Sequence, residues 1–173
     1  MNNRVSNYNK IILVGNGGSG KSYLSKRIAE LTGHPLYHLD KEFWQPGWVM
    51  MSKEGRIARQ HEILSGDKWI IDGDYGSTME TRFAAADLVI FMDINRITCI
   101  ISATKRLKEK RTDMPDYLET PGIFSKNFLQ FAWYIWNFPK SRRKNILTLR
   151  GKYPHVAFAH IKTRREGQAW ILK

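Results

Sequence analysis

The most specific chemistry in the chain lies in Gly15-Asn16-Gly17-Gly18-Ser19-Gly20-Lys21-Ser22, which has the spacing G-x-x-x-x-G-K-S. Glycines accept positive φ and carry no Cβ, so successive backbone N–H groups can converge on phosphate oxygens. In this pattern Lys21 reaches the β- and γ-phosphates of a nucleoside triphosphate, and the Ser22 hydroxyl ligates Mg²⁺. The flanks agree. Lys10–Val14 is a short β-branched apolar run, and Leu24, Ile28 and Leu31 recur at helical spacing after the loop. Strand, glycine loop and helix form the setting in which such a loop binds phosphate, helped by the partial positive charge of the helix N-terminus. The donor site is therefore expected to comprise Gly15, Gly17, Gly18, Ser19, Gly20, Lys21, Ser22 and Tyr23, with ATP and Mg²⁺ as its ligands.

Three aspartates come next, each expected at the end of an apolar strand: Asp40, Asp72 and Asp93. In parallel α/β sheets, ligands sit outside the carboxyl ends of the strands. Asp72, followed by Gly73, suits the acidic partner of a Mg²⁺-bound water; a loop aspartate accepting backbone N–H groups is the plainer reading. Asp93 precedes a helix, where a carboxylate is also favoured by the helix dipole. Asp40 suits a general base toward an acceptor hydroxyl, a residue that holds the acceptor, or a simple helix cap. Around it, Trp44 with Tyr37, Phe43 and Trp48 offers either a stacking wall for a ring or core packing.

Arginines supply the complementary charge. Arg82 fits a clamp on an anionic acceptor, or a surface arginine. Arg106 and Arg111 precede a proline-containing segment, Thr112–Gly122, and Arg142 and Arg143 follow it. Arginines from a closing flap of this kind stabilise the charge of a transferring phosphoryl group, and Arg106 and Arg142 are the catalytic candidates among them. Arg164, just beyond the last strand, stands where a nucleotide base can rest. Phe124, Phe128, Phe131, Trp133, Tyr134, Trp136 and Phe138 crowd one segment and are expected to pack as core, with stacking on single-stranded nucleic acid as the alternative.

These side chains need an alternating frame to hold them. Strands are expected near residues 10–14, 35–39, 68–71, 88–92 and 156–160, and helices near 22–31, 53–64, 78–86, 96–110, 125–137, 139–150 and 166–172. Alternation argues for a parallel sheet with helices on both faces. Gly33 is the expected stop of the first helix, and Ser52 and Asn95 are expected N-caps. Ile57, His61 and Leu64 are spaced for the buried face of the 53–64 helix.

Composition limits the classes that remain. A length of 173 residues, 42% hydrophobic and 25% charged, suits one globular unit, with a flap at about 111–142. One cysteine, Cys99, gives no internal disulfide, and no apolar run reads as a secretory signal or membrane span, so a cytoplasmic protein is expected. The net charge of +12 is unevenly placed: residues 1–100 hold 12 Lys/Arg against 11 Asp/Glu, and residues 101–173 hold 16 against 5. Such a basic half can bind DNA, surround a triphosphate, or be a solvated face.

Taken together, the glycine loop, Tyr37-His38-Leu39-Asp40, Phe43-Trp44-Gln45-Pro46-Gly47-Trp48, Trp69-Ile70-Ile71-Asp72-Gly73, Arg82 and Trp136-Asn137-Phe138-Pro139-Lys140 resemble the bacterial DNA topology modulation proteins, the FlaR-related group. That resemblance implies the adenylate kinase-like branch of P-loop NTPases. Its expected features are a three-layer fold on a five-stranded parallel sheet, an acceptor region after the second strand and a small arginine-bearing helical lid after the fourth. It further implies that Asp72-Gly73 corresponds to the aspartate-glycine pair closing the third strand of nucleoside monophosphate kinases. Arg82 would then bind acceptor phosphate, and Arg106 would match a phosphate-binding arginine of those kinases. Ser102 falls where those kinases often place an arginine that stacks on adenine. Asp72-Gly73-Asp74-Tyr75 lacks their phenylalanine-proline-arginine continuation, so the acceptor need not be a nucleoside monophosphate. The function expected is an ATP-dependent kinase for a small-molecule acceptor. A nucleotide-dependent DNA-binding protein and a regulator without turnover are the alternatives.

Overall fold

A computed structural model describes residues 3–108, 115 and 122–172. Its centre is β1 (Lys10–Gly15), whose residues Ile11 to Val14 are fully buried. Then come α1 (Lys21–Thr32), β2 (Leu36–His38), α2 (Leu39–Phe43), β3 (Trp44–Gln45), β4 (Val49–Met50), α3 (Lys53–Leu64) and β5 (Trp69–Asp72). The second half runs α4 (Met79–Ala85), β6 (Leu88–Met92), α5 (Arg96–Lys105), α6 (Lys126–Asn137), α7 (Arg142–Lys152), β7 (Ala157–Ile161) and α8 (Arg164–Leu172). Five strands form one parallel sheet in the order β2-β5-β1-β6-β7, and β3 and β4 pair as a small antiparallel hairpin.

Alternating side chains of the parallel strands feed two apolar layers, which is why these segments read as continuous hydrophobic runs. Ile11, Leu13, Ile90 and Met92 meet Leu24 and Ile28 of α1, Cys99 of α5 and Ile171 of α8. Ile12, Val14, Val89 and Phe91 meet Leu39 of α2, Ile63 of α3, Phe83 of α4 and Ile146 of α7. The result is three layers, helix on sheet on helix.

Local signals hold at the helix ends. Gly33 takes the left-handed conformation and donates its N–H to Ala29 O at 2.8 Å. Ser52 Oγ accepts from Gly55 N–H at 3.0 Å, and Asn95 Oδ1 from Ile97 N–H at 2.8 Å.

Four expectations change. The 35–39 strand ends at His38, so Asp40 is not a strand-end residue; it lies in the first turn of α2, where a carboxylate favours the helix dipole. The buried face of α3 is Gln60 and Ile63, while Ile57 and His61 are exposed. The helix from Arg96 ends at Lys105 and passes into a 3₁₀ turn at Arg106–Lys108. The aromatic segment around α6 is core only in part: Phe128 and Phe138 are buried with Ile135, whereas Phe124, Trp133 and Trp136 are 89%, 70% and 47% exposed. Arg111 and most of the Thr112–Gly122 segment lie outside the described residues.

Candidate active site

β1 delivers the glycine loop to the carboxyl edge of the sheet. Gly15, Gly18 and Gly20 take φ of 142°, 75° and 100°, and Gly20 opens α1. At Gly18 a Cβ would lie 2.3 Å from the carbonyl oxygen of Cys99, in addition to its positive φ. Gly18→Ala is therefore expected to distort the loop and reduce ATP affinity at least about tenfold, since both backbone strain and a backbone clash must be relieved. Isothermal titration would measure the loss, and wild-type affinity would contradict it.

The loop carries unsatisfied polar groups. Ser19 Oγ and Asn16 Oδ1 are buried without a hydrogen-bond partner among the described residues. Native proteins seldom leave such atoms orphaned, and at functional sites they mark places where a ligand completes the bonding. Lys21 Nζ donates to Asn16 O at 2.9 Å, folding its charge back over the loop. Ser22 is half-buried beside it, and Tyr23 is 57% exposed. Arg164, at the start of α8, donates to Gly18 O at 2.7 Å, to Ser19 O at 3.2 Å and to Ser102 Oγ at 2.6 Å. It thus buttresses the loop and ties it to Ser102 of α5. Lys21, Arg164 and Arg106 all act electrostatically on Cys99, whose thiol burial nevertheless pushes up to about 11.

Asp72 ends β5 directly beside β1, in register with Leu13 on one side and His38 on the other. It is 5% exposed, and His38 Nδ1 donates to its Oδ2 at 3.1 Å. Its other oxygen accepts no hydrogen bond from the described residues. A carboxylate oriented by a histidine, with its second oxygen accepting nothing from the described residues, is an oxygen donor of the kind Mg²⁺ prefers.

Beyond Asp72 the chain forms a second polar cluster. Tyr75 donates its hydroxyl to Asp40 Oδ1 at 2.6 Å, and Trp44 also bonds the Tyr75 hydroxyl. Trp44 meets Trp48 edge-on at 5.5 Å between ring centroids. Tyr134, from α6, donates to Asp74 Oδ2 at 2.5 Å, and Arg142 Nε lies 3.6 Å from the same oxygen. Burial, reinforced by these aspartates, raises both tyrosines far above the usual phenol range, so each remains a hydrogen-bond donor. Neither Asp74 nor Tyr134 stands out in the sequence; the pairing spans 60 positions. Arg143, the neighbour of Arg142, grips Asp93 at 2.9 and 3.1 Å, and His160 Nε2 donates to that carboxylate at 2.8 Å.

Arg82 does not open onto this cluster as an anion clamp. It is fully buried, and its guanidinium donates to the carbonyls of Gly73, Asp74 and Tyr75 at 2.7, 3.2 and 3.0 Å. Burial lowers its pKa to about 10, so it is charged at neutral pH; Nη1 and Nη2 are committed to the backbone, and the buried Nε–H finds no partner among the described residues. The structure therefore brings together the loop, Asp40, Asp72, Trp44 and Arg142, keeps Arg164 and Arg106 on the donor side, and gives Arg82 a different task.

No family model and no curated protein matches the chain. Solved structures do match. A gluconokinase from Sinorhizobium meliloti 1021 aligns at TM-score 0.53 and 15% identity over 94% of this chain and 91% of its own. A shikimate kinase from Bacteroides thetaiotaomicron aligns at 0.55 and 14% over 95% and 94%. A shikimate kinase from Acinetobacter baumannii in complex with shikimate aligns at 0.50 and 16% over 93% and 89%. Identities this low speak for fold alone. The chain has the three-layer α/β fold of the P-loop kinases, in the adenylate kinase-like arrangement with a five-stranded parallel sheet.

Proposed function

We propose that this protein is a cytoplasmic ATP-dependent phosphotransferase that acts on a small hydroxyl-bearing acceptor, within the FlaR-related group that its motifs resemble. The whole chain works as one unit, with residues 111–142 as its lid. One observation carries the reading. The glycine loop, with its Ser19 hydroxyl unpaired among the described residues and its lysine, follows the strand whose Leu13 is in register with Asp72, and a separate carboxylate cluster lies at Asp40 and Asp74. A loop that only stored nucleotide would not need the second cluster.

The residues fit ATP and Mg²⁺. Loop amides, Lys21 and α1's N-terminus would hold the phosphates, Arg164 would support the base side, and Ser22 and Asp72 would hold the metal. Mg²⁺ supplies charge neutralisation at the phosphates. Asp40 would take the proton of the acceptor hydroxyl as that oxygen bonds to the γ-phosphorus, while the bond to the β-phosphate oxygen breaks and ADP departs with its electron pair. The Tyr75 hydroxyl bonded to Asp40 orients this carboxylate. Arg106 and Arg142 would balance charge on the moving group, and Trp44 would pack against the acceptor.

The DNA-binding alternative drew on the basic second half. Arg142, Arg143 and Arg164 of that half are paired with Asp74, Asp93 and loop carbonyls, so this charge is turned toward the site. Among the described residues no helix is long and apolar enough to cross a membrane.

The test is a transfer screen with ATP and Mg²⁺ over nucleosides, sugars and hydroxy acids. Asp72→Asn serves as its internal control. It should lower transfer about 10²- to 10³-fold, the scale of losing one electrostatic stabiliser, and leave nucleotide binding within a few-fold. Failure of every acceptor, with tight ATP binding retained, would leave a regulator without turnover and end the kinase reading.

A further inference from the structure

Helices α6 and α7, joined by the 3₁₀ turn Phe138–Lys140, form a bracket across the carboxyl edge of the sheet. At the end of β1, Asn16 Nδ2 donates to Ile135 O of α6 at 2.9 Å, in a buried bond. The ring of Phe131 covers Gly17 so closely that a Cβ there would stand 2.5 Å from it. Past the end of β5, Tyr134 and Arg142 share Asp74, and the Arg142 guanidinium fills the space where Gly76 would carry a Cβ. At the end of β6, Arg143 holds Asp93. Phe131 and Tyr134 stack at 6.2 Å and 9°. One rigid turn of α6 therefore carries the residue that rests on the phosphate loop, the residue that anchors it, and the residue that holds the acceptor-side loop.

We infer that Tyr134 is a positioning residue that couples the phosphate loop to the 73–76 loop, so that filling the first orders the second. The inference rests on the donor and acceptor roles proposed above and adds a link between them. Tyr134 touches neither phosphate nor acceptor in this scheme. It acts through Asp74. The coupling element is physical: a helix that cannot shift at Gly17 without moving the Tyr134–Asp74 bond at its next side chains. Such a link gives mutual tightening of the two ligands, since ordering by one reduces the ordering cost of the other.

Hydrogen exchange of the full chain tests it in two arms. Without nucleotide, Gly17→Ala places a methyl against Phe131 and should speed exchange in residues 73–78 about fivefold, the effect of losing about one hydrogen bond's worth of protection, while β7 is unchanged. In a Tyr134→Phe background the same substitution should add nothing, because the link is already cut. Additive effects, or no effect at 73–78, overturn the coupling. If Gly17→Ala does not fold, Phe131→Leu perturbs the same contact more gently and carries the same prediction. In the second arm, ATP with Mg²⁺ should protect both 15–22 and 73–78 in the wild type, but only 15–22 in Tyr134→Phe. Equal protection of 73–78 in both proteins counts against the coupling. Absence of protection at 15–22 in the wild type instead defeats the phosphate-binding reading, and the nucleotide-free arm still decides the coupling.

Discussion

Lys21→Ala is expected to lower phosphoryl transfer by about 10³-fold or more, the scale seen when a charge that stabilises a transferring phosphoryl group is removed. ATP affinity should fall as well, because the same ammonium contacts the bound phosphates in the ground state. Stability should not fall. Lys21 is the first residue of α1, only half-buried, and bonds the backbone oxygen of Asn16. A cation at a helix N-terminus opposes the helix dipole, and alanine is the best helix former, so the variant should melt at or slightly above the wild-type temperature. Activity lost with stability kept or gained is the mark of a residue retained for chemistry. Thermal unfolding beside the transfer assay separates the two. Undiminished transfer in the variant would remove Lys21, and the loop with it, from the mechanism.

The donor side was legible in the sequence because its determinants are local. Six consecutive residues before α1 form β1, the glycines follow at once, and Lys21 and Ser22 open the next helix. Period and spacing report such features directly. Asp72 was legible for the same reason, as the last residue of a buried apolar strand. The family resemblance carried the five-stranded parallel sheet, but its order, β2-β5-β1-β6-β7, was not in the local pattern.

The acceptor side was mostly hidden. Asp74 meets Tyr134 across 60 positions, and Asp93 meets Arg143 across 50. No periodicity encodes contacts of that range, and two adjacent arginines look interchangeable until the fold sends one to each carboxylate. The aromatic segment misled for a geometric reason. In α6 apolar residues occur on every side, so Leu129, Trp133 and Trp136, at spacings of four and three, form an exposed stripe while Phe128 and Ile135 face the core. Residue type alone did not say which side was which. The backbone contacts of Arg82 were not legible because a phosphate clamp and a backbone brace draw on the same guanidinium donors.

Arg82 therefore gives the second large effect, on stability. Arg82→Met keeps most of the volume but strips the donor from the carbonyls of Gly73 and Asp74, while that of Tyr75 keeps Thr78 N–H at 3.2 Å. Each carbonyl left unpaired costs about 1–3 kcal/mol, so with two of them the variant should lose about 2 kcal/mol or more, part of it offset because a buried charge is also removed. Arg82→Lys should fall in between, since a lysine keeps the charge but cannot fork across successive carbonyls. Urea unfolding would show the loss as a lower midpoint with an unchanged slope. The loop that Arg82 braces carries Asp74 and Tyr75, whose partners are Tyr134 and Asp40, so acceptor turnover should drop in the variant as well. That drop should follow the fraction of molecules with an ordered loop, and lowering the temperature should recover it in part. A variant as stable as the wild type that has lost affinity only for anionic acceptors would reverse the assignment. Arg82 would then be the clamp its place in the sequence first suggested, reached by a movement of the 73–75 loop that frees its guanidinium.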